Sequence, residues 1–296
     1  MVGGHPFSTI ASTHEANACT LALIAERGNR VDVKGTAVLI APGCAITAKH
    51  VLDYTDEERS LGAPRPSPEA DHGIRAIPVG LPPDRRVEYR VRHSATPPIE
   101  TDLALLHLSV VGGEPPGFKW PCLTLDLLPP RLGARIVGFG YRAELLSAQP
   151  GKLEIAAPHL RTEGVVSELH LQGRGSRMPF PCVETTARVD GGMSGGPVFS
   201  ERGSLLGVWS SSLPASGPDD QHTSYFSLLW PLLAAPVVAR LNPADWTIEN
   251  SLFAAAEAGR LAVENLDRFS ATPDERGRIV RIEMRVPKEA EAGQAK

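Results

Sequence analysis

Residues 33–52, VKGTAVLIAPGCAITAKHVL, contain two short apolar runs, TAVLI and CAITA, on either side of Ala-Pro-Gly. Short apolar runs split by a proline and a glycine predict a β-hairpin. The same grammar continues along the chain. IPVGL, VEYRV, DLALLHL, ARIVGFGY, GVVSEL, GGPVF and SLLGVWSSS are each bounded by Pro, Gly or Asp. Strands this short, with turn chemistry between them, predict a barrel or sandwich and argue against a parallel α/β sheet. The expected fold class is all-β.

Other segments punctuate this pattern. GGEPPGFKWP (112–121) divides the β region into two parts of similar size, as a connector would. GAPRPSPEADHG (62–73) and SLPASGPDDQHT (212–223) are expected loops, because Pro, Ser, Gly and Asp disfavour regular structure. The end of the chain differs. TIENSLFAAAEAGRLAVENL (247–266) is rich in Ala, Leu and Glu, is interrupted only at Gly259, and predicts a helix. RIVRIEMRV (278–286) places Val280, Ile282, Met284 and Val286 on one side of a half-buried strand. Residues 287–296 are expected to fray, and no internal repeat survives counting.

Composition narrows the function classes. A net charge of −4 gives nucleic-acid binding no general electrostatic support. The arginines of DRRVEYRVRH (84–93) read as the wet face of a strand. No run approaches the ~18 apolar residues of a membrane span. The first residues lack a basic stretch followed by an apolar one, so no signal peptide and a cytoplasmic location are expected. Cys19, Cys44, Cys122 and Cys182 form no CxxC pair and have no histidines at zinc spacing. They read as reduced, mostly buried thiols, and no metal or cofactor is expected.

The chemistry centres on DGGMSGGPVF (190–199), where Ser194 stands among four glycines. By itself this is also the composition of a tight turn. A serine hydroxyl is a nucleophile only when a base takes its proton and a third group orients that base. His50, in AITAKHVL, precedes Val51-Leu52 and follows an apolar strand. Asp102, in TDLALLHL, opens one whose neighbours are too hydrophobic for ordinary solvent decoration. Each is unremarkable alone: a histidine at a strand end is usually a satisfied surface group, and an Asp before a strand is a common turn residue.

In chain order the three motifs resemble the chymotrypsin-like (trypsin-fold) serine proteases, and are closest in pattern to bacterial HtrA-like and trypsin-like peptidases without a PDZ domain. WPCLTL resembles the start of that family's crossover between barrels. LGARIVGFGY resembles the strand that ends in Gly-aromatic-Gly, and LLGVWSSS the strand that lines the substrate cleft. The resemblance covers residues 19–241. Three positions depart from it: Val51 stands in place of a half-cystine, Met193 in place of an Asp, and Lys49 in place of a small residue.

The resemblance implies two six-stranded antiparallel β-barrels. Residues 1–18 would be an N-terminal segment, 19–111 the first barrel with His50 and Asp102, 112–241 the second with Ser194, and 242–296 a C-terminal helix–strand extension. It implies a serine endopeptidase acting on a protein or peptide. Ser194 would attack the carbonyl, His50 would carry the proton, and Asp102 would orient the imidazole. The backbone N–H groups of Gly192 and Ser194 would form the oxyanion hole. Ser210 would bond near Asp102, while Ser211 and Ser212 would pair with an extended substrate. Arg188, six residues before Ser194, falls at the floor of the primary pocket. It would either point inward to meet an acidic side chain, or turn outward or pair with Asp219 or Asp220. Val2-Gly3-Gly4 resembles the mature end of the zymogen-activated members, but Met193 cannot hold an ammonium, so no N-terminal trimming is expected. The alternative function is a peptide-binding or adaptor module with little or no catalysis. The extension would then be a docking surface for a partner protein rather than packing on the barrels.

Overall fold

A computed structural model describes residues 8–9, 16–27, 30–53, 73–142, 147–149, 152–156, 159–213, 222–238, 248–249 and 251–285. The expected loops 62–73 and 212–223 lie largely outside these residues.

Six strands form the first barrel: β1 (Thr20–Arg27), β2 (Arg30–Ala41), β3 (Cys44–Ala48), β4 (Ile74–Ile77), β5 (Tyr89–Ala95) and β6 (Leu103–Val110). They pair in the order β1-β2-β3-β6-β5-β4, and β4 returns to β1 to close the ring. The β2–β3 hairpin is the one expected from the sequence. Ala41 pairs with Cys44 across Pro42-Gly43. Proline presets the first turn position, and the φ of +70° at Gly43 is the one a type II turn demands at its second. All five residues of β3 are buried. A strand covered on both faces reads as an unbroken apolar run, which is why CAITA lacks alternation.

The second barrel comprises β7 (Arg135–Tyr141), β8 (His159–His170), β9 (Cys182–Thr185), β10 (Pro197–Ser200), β11 (Leu205–Leu213) and β12 (Thr223–Leu228). Its order is β7-β8-β9-β12-β11-β10, closed by the pairing of β10 with β7. Counted from its own first strand, each barrel has the same connectivity. The duplication is one of topology, and no repeat in the sequence announces it.

Two expectations are corrected here. The strand foreseen at IPVGL lies upstream at Ile74–Ile77. Pro78 lacks the donor a ladder needs, and the chain turns there. Arg86 is not on a wet strand face: its Nε and Nη2 donate to the carbonyls of Leu81 (2.6 Å) and Val79 (2.8 Å) and hold that turn.

Among the described residues, which leave out 247 and 250, the helix foreseen over 247–266 runs only over Leu252–Glu257. Ser251 caps it by accepting from the Ala254 N–H at 3.2 Å, and it stops before Gly259, whose φ is +69°. Beyond it, Val263–Glu264 pairs in parallel with Leu125–Asp126, and Phe269–Pro273 pairs with Ile279–Met284. The extension is thus a helical turn and a hairpin. In that hairpin Ile282 is buried but Val280 is 44% exposed, so the expected single apolar face breaks. A shift of register at Thr272/Pro273 puts Ile279 inward and Val280 outward, as a bulge does. Val286 lies outside the described residues.

One apolar cluster fills the first barrel and runs on through Leu125, Phe199 and Val208 of the second half to Leu252, Phe253, Leu261, Phe269 and Ile282 of the extension. A second cluster, with Ile136, Val183, Met193, Trp209 and Phe226, fills the second barrel. Trp209 is fully buried there, and a Cβ on Gly138 would lie 2.2 Å from its ring. Gly138→Ala is therefore expected to cost about 1–3 kcal/mol by overpacking. A lowered urea midpoint checks this, and an unchanged midpoint overturns it.

Candidate active site

Antiparallel pairing of β3 with β6 sets Ala48 opposite Leu103. The next residues outward, Lys49 and Asp102, therefore meet, and the Lys49 N–H donates to the Asp102 carbonyl at 3.1 Å. The chain then turns helically over 49–53, with Val51 and Leu52 buried beneath it. Those two anchors leave His50 half-exposed above Asp102.

The Asp102 carboxylate is buried and fully engaged. Oδ1 accepts the His50 backbone N–H at 3.0 Å, and Oδ2 faces His50 Nδ1 at 2.8 Å. Ser210 Oγ donates to the same Oδ2 at 2.5 Å. Because Nδ1 must be protonated to donate to the carboxylate, Nε2 of the neutral ring is left as the basic nitrogen. Burial tends to lower the His50 pKa, but the hydrogen bond and charge of Asp102, with Asp53 nearby, outweigh it and leave the pKa above 6.5. Lys49 takes no part: its ammonium is 3.9 Å from Asp53 and 45% exposed.

Ser194 sits on a turn clasped to the first barrel. The Met193 N–H donates to the Asp190 carbonyl at 3.1 Å across Gly191-Gly192, and Gly192 has a φ of +91°, the type II pattern. Thr36 of β2 holds this turn twice. Its N–H donates to the Ser194 carbonyl at 2.8 Å, and its Oγ1 donates to the Gly192 carbonyl at 2.8 Å. A Cβ on Gly35 would lie 3.0 Å from the Ser194 carbonyl oxygen and 2.9 Å from Val51, so β2, the serine turn and the residue after His50 converge. Among the described residues, the N–H groups of Gly192 and Ser194 donate to no backbone carbonyl. Nor does Ser194 Oγ bond to His50 among them.

Met193 is fully buried in the second core. Arg188 takes a place the sequence reading did not foresee. Its Nε lies 3.1 Å from Asp190 Oδ1, while Arg142 Nη1 lies 3.6 Å from Oδ2. Asp190, at the start of the serine turn, is thus held between two guanidiniums. Asp219 and Asp220 lie outside the described residues.

Beside His50 a cleft of about 440 Å³ is lined by His50, Asp102 and Ser210–Leu213 together with Arg174, Arg177, Met178 and Phe180. β11 pairs with β12 through Ser211, Ser212 and Leu213. On its other edge the pairing with β10 reaches only Val208, and the bonds between Trp209 and Gly195 and Gly196 end it. From Ser210 onward that edge pairs with no described strand. The sequence reading found Ser210, Ser211 and Ser212 but missed Thr36, Arg174 and Arg177. A threonine inside an apolar strand and two arginines in a glycine-rich turn carry no signal until β2 and β11 are placed.

One grouping among the described residues has the make-up of a metal site: Glu168, His170 and Glu184, with ligand atoms within 4.8 Å of one another. Glu184 is already taken. It accepts from Tyr225 Oη at 2.8 Å and Ser167 Oγ at 3.2 Å, and lies 3.6 Å from Arg174 Nε. No helix among the described residues is long and apolar enough to cross a membrane.

The family model described as "Trypsin-like peptidase domain" matches residues 35–208. Among solved structures, the MamO protease domain from Magnetospirillum magneticum in its apo form is similar at 15% identity. It covers 73% of this chain and 94% of that one, with a TM-score of 0.44. An inactive serine-to-alanine mutant form of Rv3671c from M. tuberculosis H37Rv is similar at 20% identity, covering 75% and 89%, with a TM-score of 0.42. No curated protein sequence matches the chain.

The raised pKa of His50 has a signed consequence. A group whose folded pKa lies above its unfolded value contributes stability below the unfolded value, near 6.5, and loses it as pH rises through the folded one. Ring-proton NMR should place the His50 midpoint above 6.5, and Asp102→Asn should move it down. A midpoint indifferent to Asp102→Asn overturns the assignment of cause.

Proposed function

Because the chain belongs to the trypsin-like peptidase domain family, we propose that it is a serine endopeptidase using His50, Asp102 and Ser194. Ser194 Oγ attacks the peptide carbonyl carbon as His50 Nε2 takes its proton. The tetrahedral oxyanion is met by the N–H groups of Gly192 and Ser194. The C–N bond then breaks, and His50 gives its proton to the leaving amine. Water, deprotonated by the same nitrogen, hydrolyses the acyl-enzyme and frees Ser194. Asp102 keeps the imidazole in the needed tautomer and stabilises the imidazolium.

The observation that carries this reading is the hydrogen-bonded chain Ser210–Asp102–His50 beside the unpaired edge of β11. An extended peptide can add to that edge by backbone pairing, which delivers its carbonyl next to the histidine. The amides of Gly192 and Ser194 support the oxyanion role, since neither donates to a backbone carbonyl among the described residues. Nucleophile and base can lie apart until substrate draws them within hydrogen-bond reach, so the missing Ser194–His50 bond does not count against these roles. The Asp190–Arg188 pair removes the uncompensated charge that an acidic side chain in the primary pocket would seek.

The substrate is a protein or peptide, and the proposed location is cytoplasmic, where the exposed Cys122 would stay a free thiol. Its Phe269 and Ile282 sit in the main core, so we read the extension as packing rather than as a partner's dock.

A serine-directed fluorophosphonate tests the reading. The wild-type protein should label covalently, and Ser194→Ala and His50→Ala should not. Both should lose peptidase activity by on the order of 10⁴-fold or more while melting normally. Full turnover by Ser194→Ala, or a wild type that neither labels nor cleaves, overturns it; the second result leaves a peptide-binding module. In wild type, kcat/KM should rise with pH through a midpoint above 6.5, because only the neutral ring accepts the proton. A profile flat from about pH 5 to 8 would argue against His50 as the base.

A further inference from the structure

Two arginines, Arg174 and Arg177, line the cleft beside His50, and among the described residues only Arg174 has a carboxylate, Glu184, beside it. The cleft's own carboxylate, Asp102, is saturated by the His50 backbone, the His50 ring and Ser210. Against it stand Arg174 and Arg177. The chain as a whole has a net charge of −4, so two arginines on one small cleft run against its average.

The two arginines are held differently. Arg174 is oriented: its guanidinium lies 4.9 Å from the centre of the Tyr225 ring, and its Nε is 3.6 Å from Glu184 Oε2. Glu184 in turn is fixed by Tyr225 Oη, and Arg174 N–H bonds the Met178 carbonyl at 2.6 Å. A guanidinium engaged only through Nε keeps its two Nη groups for a ligand. Arg177 is exposed and makes no ion pair among the described residues. The floor between them is apolar, from Met178, Phe180 and Leu213, and can receive the methylenes of a long side chain.

A peptide added to the open edge of β11 runs along Ser210–Leu213, away from Ser194. At about 3.4 Å per residue, the second to fourth residues before the scissile bond fall within this cleft. We infer that this part of the cleft is a subsite for an acidic side chain, Glu or Asp, two to four residues before the cleaved bond, held by Arg177 and the pre-oriented Arg174. The register with cleavage rests on the peptidase reading above; the acidic selectivity of the cleft does not.

Arg177 is the residue to change, because Arg174 also braces Glu184 and Tyr225. The probe is a fluorogenic peptide library in which each of the four positions before the scissile bond is fixed in turn as Glu, Gln or Lys. A biotinylated pool of the same composition measures binding to Ser194→Ala. Wild type should cleave the Glu-fixed pools about five- to tenfold faster than the Gln-fixed ones at one or more of the second to fourth positions. The preference should shrink at 0.5 M salt, fall at least twofold in Arg177→Gln, where Arg174 remains, and be lost in Arg177→Glu. Cleavage with no Glu preference, or a preference that Arg177→Glu leaves intact, overturns the subsite and spares the peptidase. If nothing is cleaved but Ser194→Ala and wild type both hold the Glu pool tighter than the Gln pool, and Arg177→Glu abolishes this, the subsite stands and the peptidase reading falls. Neither cleavage nor selective binding overturns both.

Discussion

Thr36 fastens the serine turn to the other barrel. It is fully buried, and each of its polar groups has a partner. Its N–H and hydroxyl bind the carbonyls of Ser194 and Gly192, its hydroxyl also accepts from the Tyr141 N–H at 3.2 Å, and its carbonyl accepts from Thr47 Oγ1 at 2.7 Å. Buried carbonyls without donors would each cost about 1–3 kcal/mol, so the turn has one place to sit. The Ser194 N–H shares its peptide plane with the Met193 carbonyl, which accepts the Gly196 N–H at 2.9 Å, while Thr36 fixes the planes on either side, so that N–H takes a defined direction. An oxyanion hole needs that fixity more than it needs any side chain.

Asp102 provides the second tie. Its carboxylate bonds His50 from its own barrel and Ser210 from the other. A buried carboxylate is tolerable only when donors surround it, and here two of the three donors also position the chemistry. The two ties come from β2 and from the residue just before β6, and they grip the serine turn and β11 of the second half. Together they hold histidine, serine turn and cleft in one frame. Asp190, between Arg142 and Arg188, braces the start of the same turn from the outer side.

The cleft follows from how the second barrel closes. β10 is short, so its pairing with β11 stops while β11 continues to Leu213. That mismatch leaves a strand edge open beside the histidine, and edges are where backbone recognition occurs. The turn at Gly173–Phe180 adds two arginines to the lining of the cleft. Barrel closure therefore leaves a strand edge open beside the histidine, with these two arginines in the lining of the same cleft.

Much of this was legible in the chain itself. Short apolar runs bounded by Pro, Gly and Asp specified strands, because period and turn chemistry act locally; β3 and the Pro42-Gly43 hairpin stand where they were read. His50, Asp102 and the Gly-rich serine turn were each unremarkable alone and stood out only by their order along the chain; the structure brings His50 and Asp102 together. What failed was decided at longer range. The helix at 247–266 had the composition of a helix, but its residues past Gly259 serve the core and a parallel pairing with Leu125–Asp126 instead, and packing outweighs propensity. The alternation in RIVRIEMRV was broken by a bulge set by its partner strand. Arg188 found Asp190, two residues away, because the turn brings their side chains together. Thr36, Arg174 and Arg177 had no local signature at all. Residue types and local turns were thus fixed by sequence alone, through sterics and periodicity. Which threonine clasps the turn, which edge stays open and which arginines face it were fixed only when two barrels of identical connectivity closed against each other, because those contacts join residues that no local rule connects.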